Sequence, residues 1–376
     1  MDIREKILFN VNKIVVKIGT HVITNEDGFL DKKQIMKLSK QIIKLSSLGY
    51  RVIVVSSGSI GAGISALGYH KRPNILPELQ ATAAIGQGKL IETYNECFKK
   101  QGYHAAQLLL TRQDFEDRQR YLNTCNTLNS LLDFKAIPII NENDTISVEE
   151  ITFGDNDILS ALVTNLLRAE LLVLLSSVDG LCVKHPVSGK RNEILSVVDE
   201  ISEDIMKLSF KSKTRTGTGG MESKLEAANI VTSSGEAVII ANGRHPDILL
   251  KIMNFDNVGT LFVPCGKKID SRKRWIGFIA RPKGKIFIDD GALEALKKKG
   301  RSLLPTGVVK TNGDFDKGDV VSIFDVNGRK EIARGLINYS AEDAHKIKGL
   351  RTSLIKKKLG SKPYDEIIHR DNMVLL

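Results

Sequence analysis

Cysteine is scarce and scattered in this chain. Cys97, Cys125, Cys182 and Cys265 form no C-x-x-C pair. Such spacing builds neither a disulfide framework nor a thiolate zinc site, so a reducing, cytoplasmic setting is expected. The seven histidines are equally dispersed, and no metal site is expected from them. No apolar run approaches the roughly 18 residues of a membrane span. The opening MDIREKILFN mixes charges of both signs and lacks a signal-peptide core. Internal repeats, low-complexity tracts and the G-x-x-x-x-G-K-[ST] spacing of a Walker A loop are also missing.

What is present is the composition of a soluble globular protein: 376 residues, 42% hydrophobic and 26% charged, enough for about two domains. The formal net charge of +11 is unevenly spread. Residues 1–260 hold 30 basic and 30 acidic side chains, so the whole excess falls in residues 261–376. A neutral body with a basic tail domain makes nucleic acid a candidate partner of the C-terminal part. A solvated basic face with no ligand accounts for the charge equally well.

The first two-thirds alternate between buried-strand and helix patterns. KIVVKIG (13–19), RVIVVSSG (51–58), HAAQLLLT (104–111), AIPIINEND (136–144), LLVLLSS (171–177) and EAVIIANG (236–243) read as strands. Apolar residues at Ile35, Leu38, Ile42 and Leu45 predict a helix over 31–49. Further helices are predicted over 77–102, 118–133, 157–167 and 222–234. This rhythm predicts an α/β class with a mostly parallel sheet covered on both faces. After Gly259 the pattern shortens, with turn signals at Asn312-Gly313, Lys317-Gly318 and Asn327-Gly328. A small β-rich module is expected, with a boundary near 265–280.

The most informative segment is KTRTGTGGMESK (213–224). Gly217, Gly219 and Gly220 can bring backbone N–H groups close to an anion. Lys224 would meet a phosphate at the positive end of a helix that opens near Met221. A glycine run before a helix can also be a plain loop. Other polar residues fall where parallel strands end, the usual ligand edge of an open α/β sheet. They are Lys17 and Gly19, then Ser57 and Gly58, then Asn141, Asn143 and Asp144, and the GDND tetrad from Gly154 to Asp157. A lysine closing an apolar strand is rarely there for packing. Asp144 and Asp157 can equally serve as helix caps or in Asx-turns.

VVKIGT (15–20), SSGSIGAG (56–63), LLTRQDFEDRQRYLN (109–123), PIINEND (138–144), FGDND (153–157), GTGGMESK (217–224), GTLF (259–262) and KRWI (273–276) occur together in this order. On these strings the chain resembles the amino acid kinase family over nearly its whole length, in the bacterial branch that phosphorylates glutamate and opens proline synthesis. The basic C-terminal module looks like a PUA domain, an RNA-binding fold in other proteins.

The resemblance implies a three-layer αβα sandwich over 1–265 that binds ATP and glutamate, followed by a small PUA-like barrel over 280–360. It implies transfer of the ATP γ-phosphoryl group to the glutamate side-chain carboxylate, giving L-glutamyl 5-phosphate. Lys17 and Lys224 would stabilise the transferring group and Asp157 would hold those lysines. Phosphate contacts would come from the backbone at Gly19 and Gly58. Further nucleotide contacts are implied at Ser176 and Ser177 and along Thr218, Gly219, Gly220, Met221, Glu222, Ser223 and Lys224. Ser57, Asp144 and Asn156 would bind glutamate, Asp144 facing its α-ammonium, with Asp155 supporting the loop. Mg²⁺ would be held mainly by ATP oxygens and water, with no dedicated protein ligand.

Relatives also imply a homo-oligomer (dimer or tetramer), inhibition by proline read near the LTRQDFEDRQRYLN region, and hand-over of the unstable acyl phosphate to glutamate-5-semialdehyde dehydrogenase. The chain departs from the family at Ser176-Ser177, where many relatives carry an aspartate that appears here only at Asp179. It departs again at Lys184-His185-Pro186-Val187, where relatives often have Asp-Pro-Arg. Relatives on similar folds phosphorylate aspartate, N-acetylglutamate, carbamate, UMP or isopentenyl phosphate. Asp144 beside GDND favours an acceptor with a free amino group. An RNA-binding protein on a retired kinase body is the remaining alternative, and the presence of both lysines with Asp157 speaks against it.

Overall fold

The computed structural model describes residues 2–69, 72–146, 156–184, 192–209, 220–265 and 270–376. Two compact units divide the chain, residues 1–268 and 269–376.

The first unit is built on an eight-stranded sheet. Its strands are β1 (Lys13–Ile18), β2 (Arg51–Ser56), β3 (His104–Leu110), β4 (Ala136–Glu142), β5 (Leu171–Ser176), β8 (Val197–Val198), β9 (Ala237–Asn242) and β10 (Thr260–Phe262). A separate hairpin pairs β6 (Cys182–Lys184) with β7 (Asn192–Ile194). The order across the sheet is β3-β4-β2-β1-β5-β9-β10-β8. Every pair from β3 to β9 is parallel, whereas β10 runs antiparallel to β9. The β-branched and leucine-rich runs are buried on both faces because helices cover both.

Alternation along β1 decides the position of the site. Ile14, Val16 and Ile18 join the core with Ile35, Leu38, Ile42, Leu90 and Phe98, on helices Lys32–Ser47 and Leu76–Lys99. Lys17, one residue out of phase, therefore lies on the opposite face. That face carries the helices Arg118–Asp133, Asn156–Leu167 and Met221–Ser233. Parallel strands put all their carboxyl ends on one edge, which is where Lys17, Ser57 and Asp144 fall.

The predicted strands and long helices agree with the structure to within three residues at their ends. The string SSGSIGAG supplied a turn and, beyond it, the helix Ser59–Leu67, which the sequence pattern did not reveal. Its glycines exist for contact. A Cβ on Gly63 would sit 1.9 Å from the Thr82 carbonyl oxygen, and one on Gly86 would sit 1.8 Å from that of Ser59. The two helices thus meet backbone to backbone. Arg4, 1% exposed, ties the N-terminal helix Ile3–Leu8 to distant loops. Its guanidinium donates to the carbonyls of Ser196 (2.7 Å), Val258 (2.9 Å) and Gly259 (2.9 Å).

The second unit is β-rich. β11 (Gly284–Ile288), β12 (Val308–Gly313), β13 (Val320–Asp325), β14 (Glu331–Leu336) and β15 (Met373–Leu375) form one sheet in the order β12-β11-β13-β14-β15. Only β11 and β13 pair in parallel. Gly313, Gly318 and Gly328, the three expected turn glycines, all adopt positive φ.

Candidate active site

The carboxyl edge gathers polar side chains around the first turn of the helix Asn156–Leu167. Asp157 is fully buried there. One of its oxygens, Oδ1, lies 2.5 Å from Lys17 Nζ, and Oδ2 lies 2.9 Å from Lys224 Nζ. Ser223 Oγ donates to Oδ2 as well, at 3.1 Å. Burial pushes the Asp157 pKa up, but Lys17 and Lys224 together outweigh it and hold the carboxyl well below the usual carboxylate range. A carboxylate at a helix N-terminus also meets the positive end of the dipole.

Asn156, the preceding residue, turns the other way, towards the ends of β2 and β4. Its Nδ2 donates to Ser57 Oγ at 2.9 Å and to Asn141 Oδ1 at 2.8 Å. Asn141 Nδ2 in turn donates to Gln87 Oε1 at 2.8 Å. Among the described residues, Asn156 Oδ1 and Gln87 Nε2 are buried polar atoms of this edge with no hydrogen-bond partner. Buried polar atoms normally find partners, so these suit a bound polar ligand. Beyond β4, Asp144 is 7% exposed and its Oδ2 accepts from Ser59 Oγ at 2.7 Å.

Glycine serves this edge by its bareness. The Gly19 N–H donates to the Leu175 carbonyl at 3.1 Å, so that amide is committed to the sheet. A Cβ at Gly19 would stand 3.2 Å from the same carbonyl and 3.7 Å from Lys17 Nζ, filling space beside the ammonium. Gly58 has φ +103°, and a Cβ there would meet Ile23 at 2.9 Å. Its conformation lets the helix Ser59–Leu67 start immediately after β2.

The sequence-predicted residues thus fall into two joined groups: Lys17, Asp157, Ser223 and Lys224, and then Ser57 and Asn156. Asp144 stands beside them through Ser59. Gly220 caps the helix Met221–Ser233, and its carbonyl accepts from Ser223 Oγ (3.0 Å) and Lys224 Nζ (3.4 Å). No bond among the described residues joins Ser176, Ser177, Met221 or Glu222 to this cluster, and Ser177 and Glu222 are exposed. Gly217, Thr218, Gly219, Asp155 and His185 lie outside the described residues. Sequence reasoning passed over Ser59 and Gln87 and left Asn141 without a role. The repeated serines of SSGS pointed to the first. Gln87 carries no local signal, since it sits mid-helix and only the sheet brings it to Asn141.

No group of three or more His, Cys, Asp or Glu side chains suited to a metal ion occurs among the described residues. The donors present are ammonium groups, amides and hydroxyls, a set that matches anionic oxygens.

Residues 12–242 match the amino acid kinase family and residues 284–359 match the PUA domain. The chain is 50% identical over 364 residues to a glutamate 5-kinase of Thermoanaerobacter sp. (strain X514), covering 97% of this chain and 98% of that protein. It is 45% identical over 373 residues to a glutamate 5-kinase of Syntrophus aciditrophicus (strain SB), covering 99% and 96%. Among solved structures, carbamate kinase from Giardia lamblia bound to AMP-PNP aligns over 68% of this chain and 99% of its own, at 17% identity and a TM-score of 0.46. With the family match spanning more than half its length and such identities end to end, the chain belongs to the amino acid kinase family.

Proposed function

We propose that this protein phosphorylates the side-chain carboxylate of L-glutamate with ATP. The observation that carries the reading is the pair of ammonium groups held side by side on the two oxygens of Asp157. An acceptor carboxylate is already ionised near neutral pH, so no general base is required. The barrier is repulsion between two anions, and fixed cations lower it by positioning and electrostatics. A glutamate oxygen bonds to the γ-phosphorus while the bridging P–O bond to ADP breaks. Lys17 and Lys224 accompany the charge as it moves. Mg²⁺, when bound on the nucleotide oxygens, supplies further charge neutralisation. Relatives of near-identical length that are named glutamate 5-kinases support the choice of acceptor.

On the acceptor side, Asp144 is assigned to the α-ammonium, and Ser57 and Asn156 to carboxylate oxygens. Asp144→Ala is expected to raise the glutamate KM by at least tenfold with little change in that for ATP. Equal shifts for both substrates would remove Asp144 from this role. The reaction itself is tested by trapping the acyl phosphate with hydroxylamine across candidate acceptors. Hydroxamate should form with glutamate; formation with aspartate, N-acetylglutamate or carbamate instead would overturn the reading.

For the second unit, a PUA-like module over 280–360, single-stranded RNA is the proposed partner. Phe287 and Phe324 lie side by side on adjacent strands, rings 5.9 Å apart at 28°. Lys310 stands 5.6 Å over Phe287 and Lys285 5.3 Å over Phe324. Aromatic faces flanked by cations suit stacked bases and their phosphates. Filter binding should weaken steeply with salt and further in Phe287→Ala. A flat salt response would exclude it.

A further inference from the structure

A cavity of about 350 Å³ lies beside the helix Lys32–Ser47 and the turn after β9, on the sheet face opposite Lys17. Among its lining residues are four basic side chains, Lys37, Lys40, Arg244 and His245, against a single acid, Asp247. Lys37 and Lys40 are one helical turn apart on the same stripe. Neither has an ion-pair partner among the described residues.

The walls are fixed by bonds of their own. Gln34 Nε2 donates to the Gly243 carbonyl at 2.8 Å, and Gln41 Oε1 accepts from Leu249 N–H at 2.9 Å, both buried. Arg244 is braced by donating to the carbonyls of His21 (3.0 Å) and Thr24. His245 Nε2 lies 2.9 Å from Asp179 Oδ1, which also accepts from Asn242 Nδ2 at 2.9 Å. Asp247 is held at φ +54°, a conformation that costs a non-glycine residue energy and persists only where its surroundings impose it. The volume falls within the range of small-molecule sites.

We propose that this cavity is a second binding site, separate from the Lys17–Asp157–Lys224 cluster, for a small molecule bearing phosphate or carboxylate groups. Lys37 and Lys40 on one stripe supply point charges to an oxyanion, and Arg244 adds positive charge beside them while its Nε and Nη2 stay on the His21 and Thr24 carbonyls and its Nη1 stands 3.8 Å from Asp31 Oδ2. Pro246 and Leu250 give the ligand's carbon skeleton an apolar wall. Arg244 braces the segment after Gly19, and His245 touches the loop after β5. Occupancy therefore bears on both strand ends that flank the catalytic edge.

The test uses the full chain carrying Lys224→Ala, which removes one cation of the active site, in magnesium-free and nucleotide-free buffer. Calorimetric titration is run with inorganic pyrophosphate and, separately, with citrate. At least one probe is expected to bind with a single site, and adding Lys37→Glu with Lys40→Glu should weaken it at least tenfold. Pyrophosphate alone binding identifies a phosphate ligand, and citrate alone a carboxylate ligand. Both replaced lysines are exposed, so circular dichroism should be unchanged. In the otherwise native chain the same double replacement should leave basal turnover intact. Absence of binding by both probes, or binding that survives the charge reversal, would overturn the proposal.

Discussion

Lys224→Ala is expected to lower kcat by about a thousandfold while the fold persists. The magnitude is that of removing one preorganised electrostatic contact from a water-poor site, about 4 kcal/mol of transition-state stabilisation. The side chain begins in the first turn of the helix Met221–Ser233, is 6% exposed, and reaches Asp157 at 2.9 Å. Alanine suits the helix at least as well, and Lys17 still neutralises Asp157, so stability should change far less than rate. Steady-state kinetics with hydroxylamine trapping provides the measurement. Turnover of glutamate and ATP at the normal rate would show that Lys224 has no part in transfer.

Asp157→Ala should be harsher, because it removes the group that reconciles two buried cations. Breaking a buried pair by deleting one partner costs about 3–5 kcal/mol, and here two ammonium groups lose the same carboxylate. Activity should vanish as Lys17 and Lys224 repel each other and swing apart. Acid titration gives an independent check with a definite sign. The folded-state pKa of Asp157 is depressed, so its contribution is complete above the ordinary carboxylate value of about 3.9. It is lost as pH falls below that value towards the folded one. Denaturant unfolding of the native chain should therefore lose stability below about pH 4 by more than the variant does. Parallel declines in the two proteins would remove Asp157 as the source.

Much of this edge is legible in the sequence. Lys17 breaks an apolar strand, and the strings INEND and MESK place charged groups where parallel strands and helices meet. Those signals are local, and the structure brings their residues within bonding distance. What escaped depends on packing between distant segments. The helix Ser59–Leu67 looks like a loop because glycine is a poor helix former. Its glycines answer to distant backbone, Gly63 to that of Thr82 and Gly86, and Gly61 to the Gly28 carbonyl. Gln87 is anonymous within its helix until Asn141 arrives from another strand. The antiparallel pairing of β10 was equally hidden, since three residues carry no direction in their pattern.

Asn156 and Asp157 are neighbours on one turn, yet one bonds towards Ser57 and the other towards the two lysines. With the proposed roles, a shift of that turn by a fraction of an ångström would misalign donor and acceptor together. The two halves of the reaction are geared to a common axle. A change of acceptor within this scaffold would then have to arise at outlying positions such as Asp144, Ser59 or Gln87, leaving the axle untouched.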